Sequence, residues 1–200
     1  MVNKDALRRT AHDNRNKQED KDKLSVQIVD IFMSLPEYVD ASTVMFYIDV
    51  RSEVRTRHAL SKALKSDKKI VVPWCNDDGE LELFHLESTE DLGTGMYSIM
   101  EPLQELRCFP TKQVDVQDLD LIMVPGVGFD PTGARMGHGK GYYDKLLENA
   151  WPDTTLVALA FECQMFEEIP VASHDVFMNK IITESRLIEC EGMIARWCNW

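Results

Sequence analysis

Along the chain, apolar positions recur in two rhythms. Leu24, Ile28, Ile31, Phe32 and Leu35 fall at i, i+4, i+7, i+8 and i+11, one stripe of an amphipathic helix. The predicted helical stretch runs from Lys4 to Leu35. It is nearly all polar between Asp13 and Lys23, where it either continues as an exposed helix or breaks in two, and Pro36 ends it. Arg55–Lys65 has the same spacing through Ala59, Leu60, Ala63 and Leu64, and it ends on a basic residue, as a helix C-terminus favours.

Between these lie short apolar runs of strand length. Thr43–Ile48, Ile70–Pro73, Leu119–Val124 and Thr155–Phe161 read as buried strands, with Pro73 expected to stop the second. Leu81–Leu86 opens with the alternation of a half-buried strand after the Asp77-Asp78-Gly79 turn, and Phe177–Ile182 reads as a last strand. Gly93–Asp118 reads as an acidic loop and Lys140–Asn149 as a helix, while the fate of the chain after Ser185 is open. Strands that alternate with helices predict an α/β fold: a single layered domain of 200 residues with a mainly parallel central sheet flanked by helices. Trp74, Phe84 and Tyr97 read as core, with one of them a candidate for a ligand pocket.

Composition narrows the function. A hydrophobic fraction of 44% is that of a globular protein. No apolar run reaches about 18 residues and no apolar segment follows Met1, so neither a membrane span nor a secretory signal is expected, and the expected location is cytoplasmic. The net charge is −12, which disfavours nucleic-acid binding. Most of it lies in residues 75–121, where twelve acids face only Arg107 and Lys112. Five cysteines without C-x-x-C spacing predict reduced thiols rather than disulfides or a zinc knuckle.

Against that acidic background stands one basic, glycine-rich segment, Pro125-Gly-Val-Gly-Phe-Asp-Pro-Thr-Gly-Ala-Arg-Met-Gly-His-Gly-Lys-Gly-Tyr-Tyr-Asp144. It follows a predicted strand and opens a predicted helix, where α/β sheets bind ligands. Gly137, Gly139 and Gly141 alternate, so backbone amides can approach a ligand, and Arg135 and Lys140 add positive charge. The combination suits a polyphosphate. Its spacing is not that of a Walker A loop, which needs Gly at Ala134 and Ser or Thr at Gly141, nor of the dinucleotide fingerprint, which needs Gly at Tyr142.

The segment resembles the signature of the 5-formyltetrahydrofolate cyclo-ligase family. Weaker matches lie in the family's order: Lys4-x-x-Leu7-Arg8, Glu53-Val54-x-Thr56, Ile99-x-Glu101-Pro102 and His174-Asp175. The resemblance ends near Glu184 and leaves residues 186–200 as a tail of uncertain order. It implies a NagB/RpiA/CoA-transferase-like fold. It also implies cyclisation of 5-formyltetrahydrofolate to 5,10-methenyltetrahydrofolate, with magnesium and ATP and through a phosphorylated formyl oxygen, releasing ADP and phosphate.

By that resemblance Lys4, Arg8, Arg135, Met136, Gly137, His138, Gly139, Lys140, Gly141, Tyr142 and Tyr143 would contact ATP. Glu53, His138, Gly139, Lys140, Gly141 and Tyr142 would contact the folate. Lys140, Arg135 and Tyr142 would be catalytic, and Asp144 and Asp175 would hold magnesium. The expected partners are small molecules, a folate and ATP, acting on a monomer. Two alternatives stay open: another ATP-using α/β enzyme, and a folate-binding or regulatory relative without turnover. Taken alone, Lys4 and Arg8 also read as a solvated helix face and Glu53 and Asp144 as first-turn helix acids, while His174 reads as a structural hydrogen-bonder rather than a catalyst.

Overall fold

The computed structural model describes residues 3–95 and 99–190; Tyr97, Trp197, Cys198 and Trp200 lie outside them. The long N-terminal helical stretch is two helices, α1 (Lys4–Lys17) and α2 (Lys21–Ser34). Asn3 caps α1 by accepting from the Asp5 amide. The polar run resolves as a break at Asp20, whose φ of 53° is left-handed and cannot continue a helix. Ile28, Val29 and Phe32 of α2 are buried, and a short α3 (Pro36–Asp40) follows.

The chain then builds β1 (Thr43–Met45), α4 (Arg57–Ala63), β2 (Lys69–Cys75) and β3 (Leu81–Leu86). Pro73 does not end β2 but lies inside it. β1 pairs with β2 only as far as Val71, so on that side no ladder partner is lost at Pro73, and its residue pairing is to Leu83 of β3. The expected loop 93–118 also carries structure. β4 (Leu92–Thr94) pairs with β5 (Met100–Pro102), and β6 (Gln113–Val114) pairs antiparallel with β3 at the sheet edge. Next come β7 (Leu121–Val124), a small hairpin of β8 (Gly128–Phe129) and β9 (Arg135–Met136), α5 (Tyr142–Leu147), β10 (Thr155–Leu159), β11 (Lys180–Ile182) and β12 (Leu187–Glu189).

The main sheet has the order β12-β11-β10-β7-β1-β2-β3-β6. Its five middle strands, β11 to β2, run parallel, and antiparallel strands close each edge. Both faces are covered. Phe32, Phe46, Leu60 and Phe84 belong to one core cluster, and Ile122, Phe129, Leu156 and Ile181 to the other. The tail beyond Ser185 opens as β12 on β11, so its first residues are part of the sheet.

From β1 the chain goes to its parallel neighbour β2 on one side. From β7 the next parallel strand, β10, lies on the other. The adjacent carboxyl ends of β1 and β7 therefore form a switch point, where an open α/β sheet leaves a crevice.

Candidate active site

A cleft of about 300 Å³ lies at that switch point, within the range of small-molecule sites. The extension of β1 supplies Tyr47, Ile48, Val50 and Glu53. Pro125 and Gly126 follow β7, and Arg135 through Asp144 form the glycine-rich wall. Lys4 and Arg8 reach in from α1, and His174 and Asp175 from the loop before β11. All fourteen residues expected from the sequence to bind or react thus line one cavity, although they come from four separated parts of the chain.

The first half of the glycine-rich segment is architecture. Asp130 is buried, and its Oδ1 accepts from the Thr132 amide at 2.9 Å and the Ala134 amide at 3.3 Å. Its Oδ2 accepts from the Ile169 amide at 2.8 Å. At Gly126 a Cβ would come within 2.3 Å of the Phe129 ring. Gly133, at φ +94°, would bring a Cβ to 2.5 Å of the Met178 carbonyl oxygen, so a side chain there meets both strain and backbone. Pinned in this way, the β8–β9 hairpin delivers Arg135 to the cleft floor.

The second half faces the cavity. Arg135 is 5% exposed. Its Nη2 donates to Asp144 Oδ1 at 2.7 Å and its Nη1 to the Pro125 carbonyl at 3.3 Å, while its Nε has no partner among the described residues. The cation expected for phosphate and the carboxylate expected for metal therefore hold each other. At Gly137 a Cβ would press to 3.2 Å on Arg135 Nη1, so glycine leaves that guanidinium its place, while Gly139 lies in ordinary contact with Arg8. The Arg8 Nε donates to the Gly137 carbonyl at 3.1 Å, and a Cβ on Gly139 would sit 3.6 Å from the Arg8 guanidinium carbon.

Lys140 is exposed and forms no ion pair among the described residues; its Nζ lies 5.5 Å from the centre of the Tyr142 ring. Helix α5 begins at Tyr142 rather than at Lys140, because Gly141 at φ +70° lies outside the helical region. Met136 is buried. Tyr142 leans toward the Gly79 turn, and burial, with the charge of Glu53, pushes the Tyr143 phenol well up.

On the opposite wall Glu53 is 5% exposed. Its Oε2 accepts from the Val50 amide at 3.0 Å and its Oε1 lies 3.4 Å from His138 Nε2. The His138 ring packs beside His12 at 5.3 Å between centroids. Burial, then the charges of Arg15 and His138, depress the His12 pKa. Lys4 Nζ donates to Asp175 Oδ2 at 2.6 Å. Burial alone would raise the Asp175 carboxyl, but Lys4 and the Ala172 amide outweigh it and hold it below the usual carboxylate range. His174 is largely exposed and pairs loosely with Asp175. Trp74 and Phe84 stay outside the cleft: Trp74 stacks under Arg107 at 4.3 Å, and Phe84 is core.

Among the described residues no three His, Cys, Asp or Glu side chains group to hold a metal by themselves. Asp144 and Asp175 line the same cavity, each already paired with a cation. That donor set fits magnesium carried on phosphate oxygens, which needs only one or two carboxylates and keeps water in its remaining positions. Sequence reasoning missed Arg15, which lies fully buried behind Glu53; its place on the same helical stripe as Lys4 and Arg8 was the available signal.

Known proteins share both chain and fold. A protein of Schizosaccharomyces pombe named as a probable 5-formyltetrahydrofolate cyclo-ligase is 31% identical over 180 residues, covering 84% of this chain and 87% of its own. The 5-formyltetrahydrofolate cyclo-ligase of Escherichia coli K12 is 27% identical, over 86% of this chain and 93% of its own. The solved structure of Aquifex aeolicus 5,10-methenyltetrahydrofolate synthetase superposes with a TM-score of 0.80 at 32% identity, covering 94% of this chain and 93% of that one. The sequence model of one family matches residues 1–184, a span that includes every residue placed in the cleft, and the chain belongs to that family, the 5-formyltetrahydrofolate cyclo-ligases.

Proposed function

We propose that the protein closes 5-formyltetrahydrofolate to 5,10-methenyltetrahydrofolate with ATP, releasing ADP and phosphate, in the cleft between β1 and β7. The observation that carries this reading is the convergence of Lys4, Arg8, Arg135 and Lys140 on one cavity of a protein with net charge −12. That cavity also holds a buried carboxylate, Glu53, and an aromatic side chain, Tyr142.

The chemistry asks for little covalent help. An amide oxygen leaves poorly, and a phosphorylated one leaves well. The γ-phosphoryl group passes to the formyl oxygen, N10 bonds to the formyl carbon, the carbon–oxygen bond breaks, and the N10 proton departs with phosphate. Such transfer depends on positioning and charge neutralisation. Lys140, exposed on the glycine-rich wall, meets the transferring group; Arg135 fixes the floor beneath it. Arg8 and Lys4 hold the outer phosphates, and the amides around Gly137, Gly139 and Gly141 line the approach with Met136 and His138 beside them. Tyr142 and Tyr143 flank that wall.

Glu53 fits a hydrogen-bonded contact to the folate ring, with His138 and Tyr142 bordering it. Asp144 and Asp175 would hold magnesium arriving with ATP, which neutralises phosphate charge when bound. All fourteen expected site residues meet in one cavity of a single chain, and on that ground we read the active unit as the monomer. No helix among the described residues is long and apolar enough to cross a membrane. Four described cysteines are free, which suits a reducing cytoplasm.

The test is optical. Methenyltetrahydrofolate absorbs in the near ultraviolet and the formyl substrate does not. Absorbance should rise only when substrate, ATP and magnesium are all present. Folate binding without an absorbance change would instead mark a relative that has lost turnover.

A further inference from the structure

Arg15 is among the largest fully buried side chains of the protein, at 1% exposed. It lies on the stripe of α1 that carries Lys4, Arg8 and Ala11, spaced i, i+4, i+7 and i+11. Its Nε donates to Ser52 Oγ at 3.0 Å, beside Glu53, and its Nη1 donates to the Gly126 carbonyl at 3.1 Å. That carbonyl also accepts from Gln164 Nε2 at 3.0 Å. Burial lowers the Arg15 pKa, and the nearby charge of Glu53 works against that effect.

A buried guanidinium is expensive to desolvate, and an apolar side chain of similar volume would pack there at least as well. What the arginine adds is direction. Its rigid fork donates along two fixed lines at once. One line ends on the turn that holds Glu53, the other on the turn that follows β7. Both turns line the cleft, and the helix bearing Arg15 supplies Lys4 and Arg8 to it.

We propose that Arg15 is a positioning residue for the cyclo-ligase reaction, fastening the Glu53 turn and the Pro125–Gly126 turn to the helix that presents Lys4 and Arg8. It touches neither substrate. It fixes the spacing between the folate wall and the phosphate wall. This rests on the function proposed above.

The test compares Arg15→Met, Arg15→Lys and Ser52→Ala in the full chain. It reads melting temperature, kcat and KM for both substrates, and amide hydrogen exchange over residues 50–54 and 126–128. Arg15→Met should lower kcat on the order of 10²-fold in folded protein, the size expected when reacting groups are misplaced by about 1 Å. Exchange in both segments should rise roughly tenfold, as expected when local opening becomes easier. Arg15→Lys should recover part of the loss.

Ser52→Ala removes one bond without stranding a buried charge. It should cost a few-fold in kcat, with faster exchange at 50–54 only. Melting temperatures that fall while kcat and exchange stay at wild-type values would make Arg15 purely structural and overturn the proposal. So would a fall in kcat with unchanged exchange. If the arginine variants do not fold, Ser52→Ala decides by the same criteria. If the wild type makes no methenyl product, the functional reading fails, while the exchange arm still decides whether Arg15 fastens the two turns.

Discussion

Arg135 Nη2 donates to Asp144 Oδ1 at 2.7 Å across the mouth of the β8–β9 hairpin, with the arginine side chain 3% exposed and the carboxylate 19%. Each is the other's counter-charge before any ligand arrives. Phosphates and their metal would have to share this pair rather than find two free groups. Asp144→Asn leaves a nearly buried guanidinium without its anion and removes a hard oxygen ligand. The magnesium concentration for half-maximal rate should rise roughly tenfold or more, with turnover lowered on the order of 10²-fold, as for loss of one group that stabilises the transition state. Initial rates across a magnesium titration check this; wild-type rates at limiting magnesium would remove Asp144 from the metal.

Lys140 stands apart from that pair, exposed and without an ion pair among the described residues. A fixed cation at the transferring phosphoryl group helps most in the transition state. Lys140→Met should keep the wild-type melting temperature within about 2 °C, since surface changes seldom exceed about 0.5 kcal/mol. Turnover should fall by roughly 10²–10³. Rate and melting temperature measured on one sample separate this from a structural role, which would lower stability and spare turnover.

Acid should unfold the protein partly through Asp49, which is 3% exposed. Burial alone would raise this carboxyl, yet Arg57 and the Thr56 and Arg57 amides outweigh it and keep it below the usual carboxylate range. A carboxyl depressed in the folded state adds stability above its unfolded pKa of about 3.9, and that stability is lost as pH falls through the lower folded value. Asp49→Asn should lower the melting temperature at pH 7 by about 4–8 °C, from about 2 kcal/mol of charged hydrogen bonding. It should also flatten the decline below about pH 4. Parallel melting curves against pH for the two proteins would contradict this.

Ending the chain at Ser185 removes β12 and the Arg186–Glu162 and Lys180–Glu189 pairs. It also bares the β11 edge, an aggregation hazard. The truncated protein should melt at least about 5 °C lower, as loss of about 2 kcal/mol predicts at this size, and aggregate sooner. Unchanged melting and solubility would show that β12 contributes little.

What the sequence reveals and hides follows from periodicity. The runs at Val44–Ile48, Ile70–Val72, Leu121–Val124 and Leu156–Leu159 are legible because strands buried on both faces must be apolar throughout. The β8–β9 hairpin is hidden because its glycines, Gly128 and Gly133, answer to Phe166 and Met178, contacts that no local pattern records. Pro73 misleads because its tolerance depends on how short β1 is. The cleft residues from Arg135 to Asp144 were legible in the glycine-rich motif, whereas Lys4, Arg8, Glu53 and Asp175 came only through the family resemblance. Their pairing of Arg135 with Asp144, and the burial of Arg15 on a stripe that reads as polar, exist only once the hairpin and α1 have closed on each other.

If this cleft moves a phosphoryl group onto the formyl oxygen, that oxygen must leave in the phosphate. Substrate carrying oxygen-18 in the formyl group, turned over with ATP and magnesium, tests it through the isotope shift of the phosphate phosphorus resonance. One labelled oxygen in each phosphate released, in step with methenyl product, is the predicted result. Unlabelled phosphate alongside the same product would contradict it.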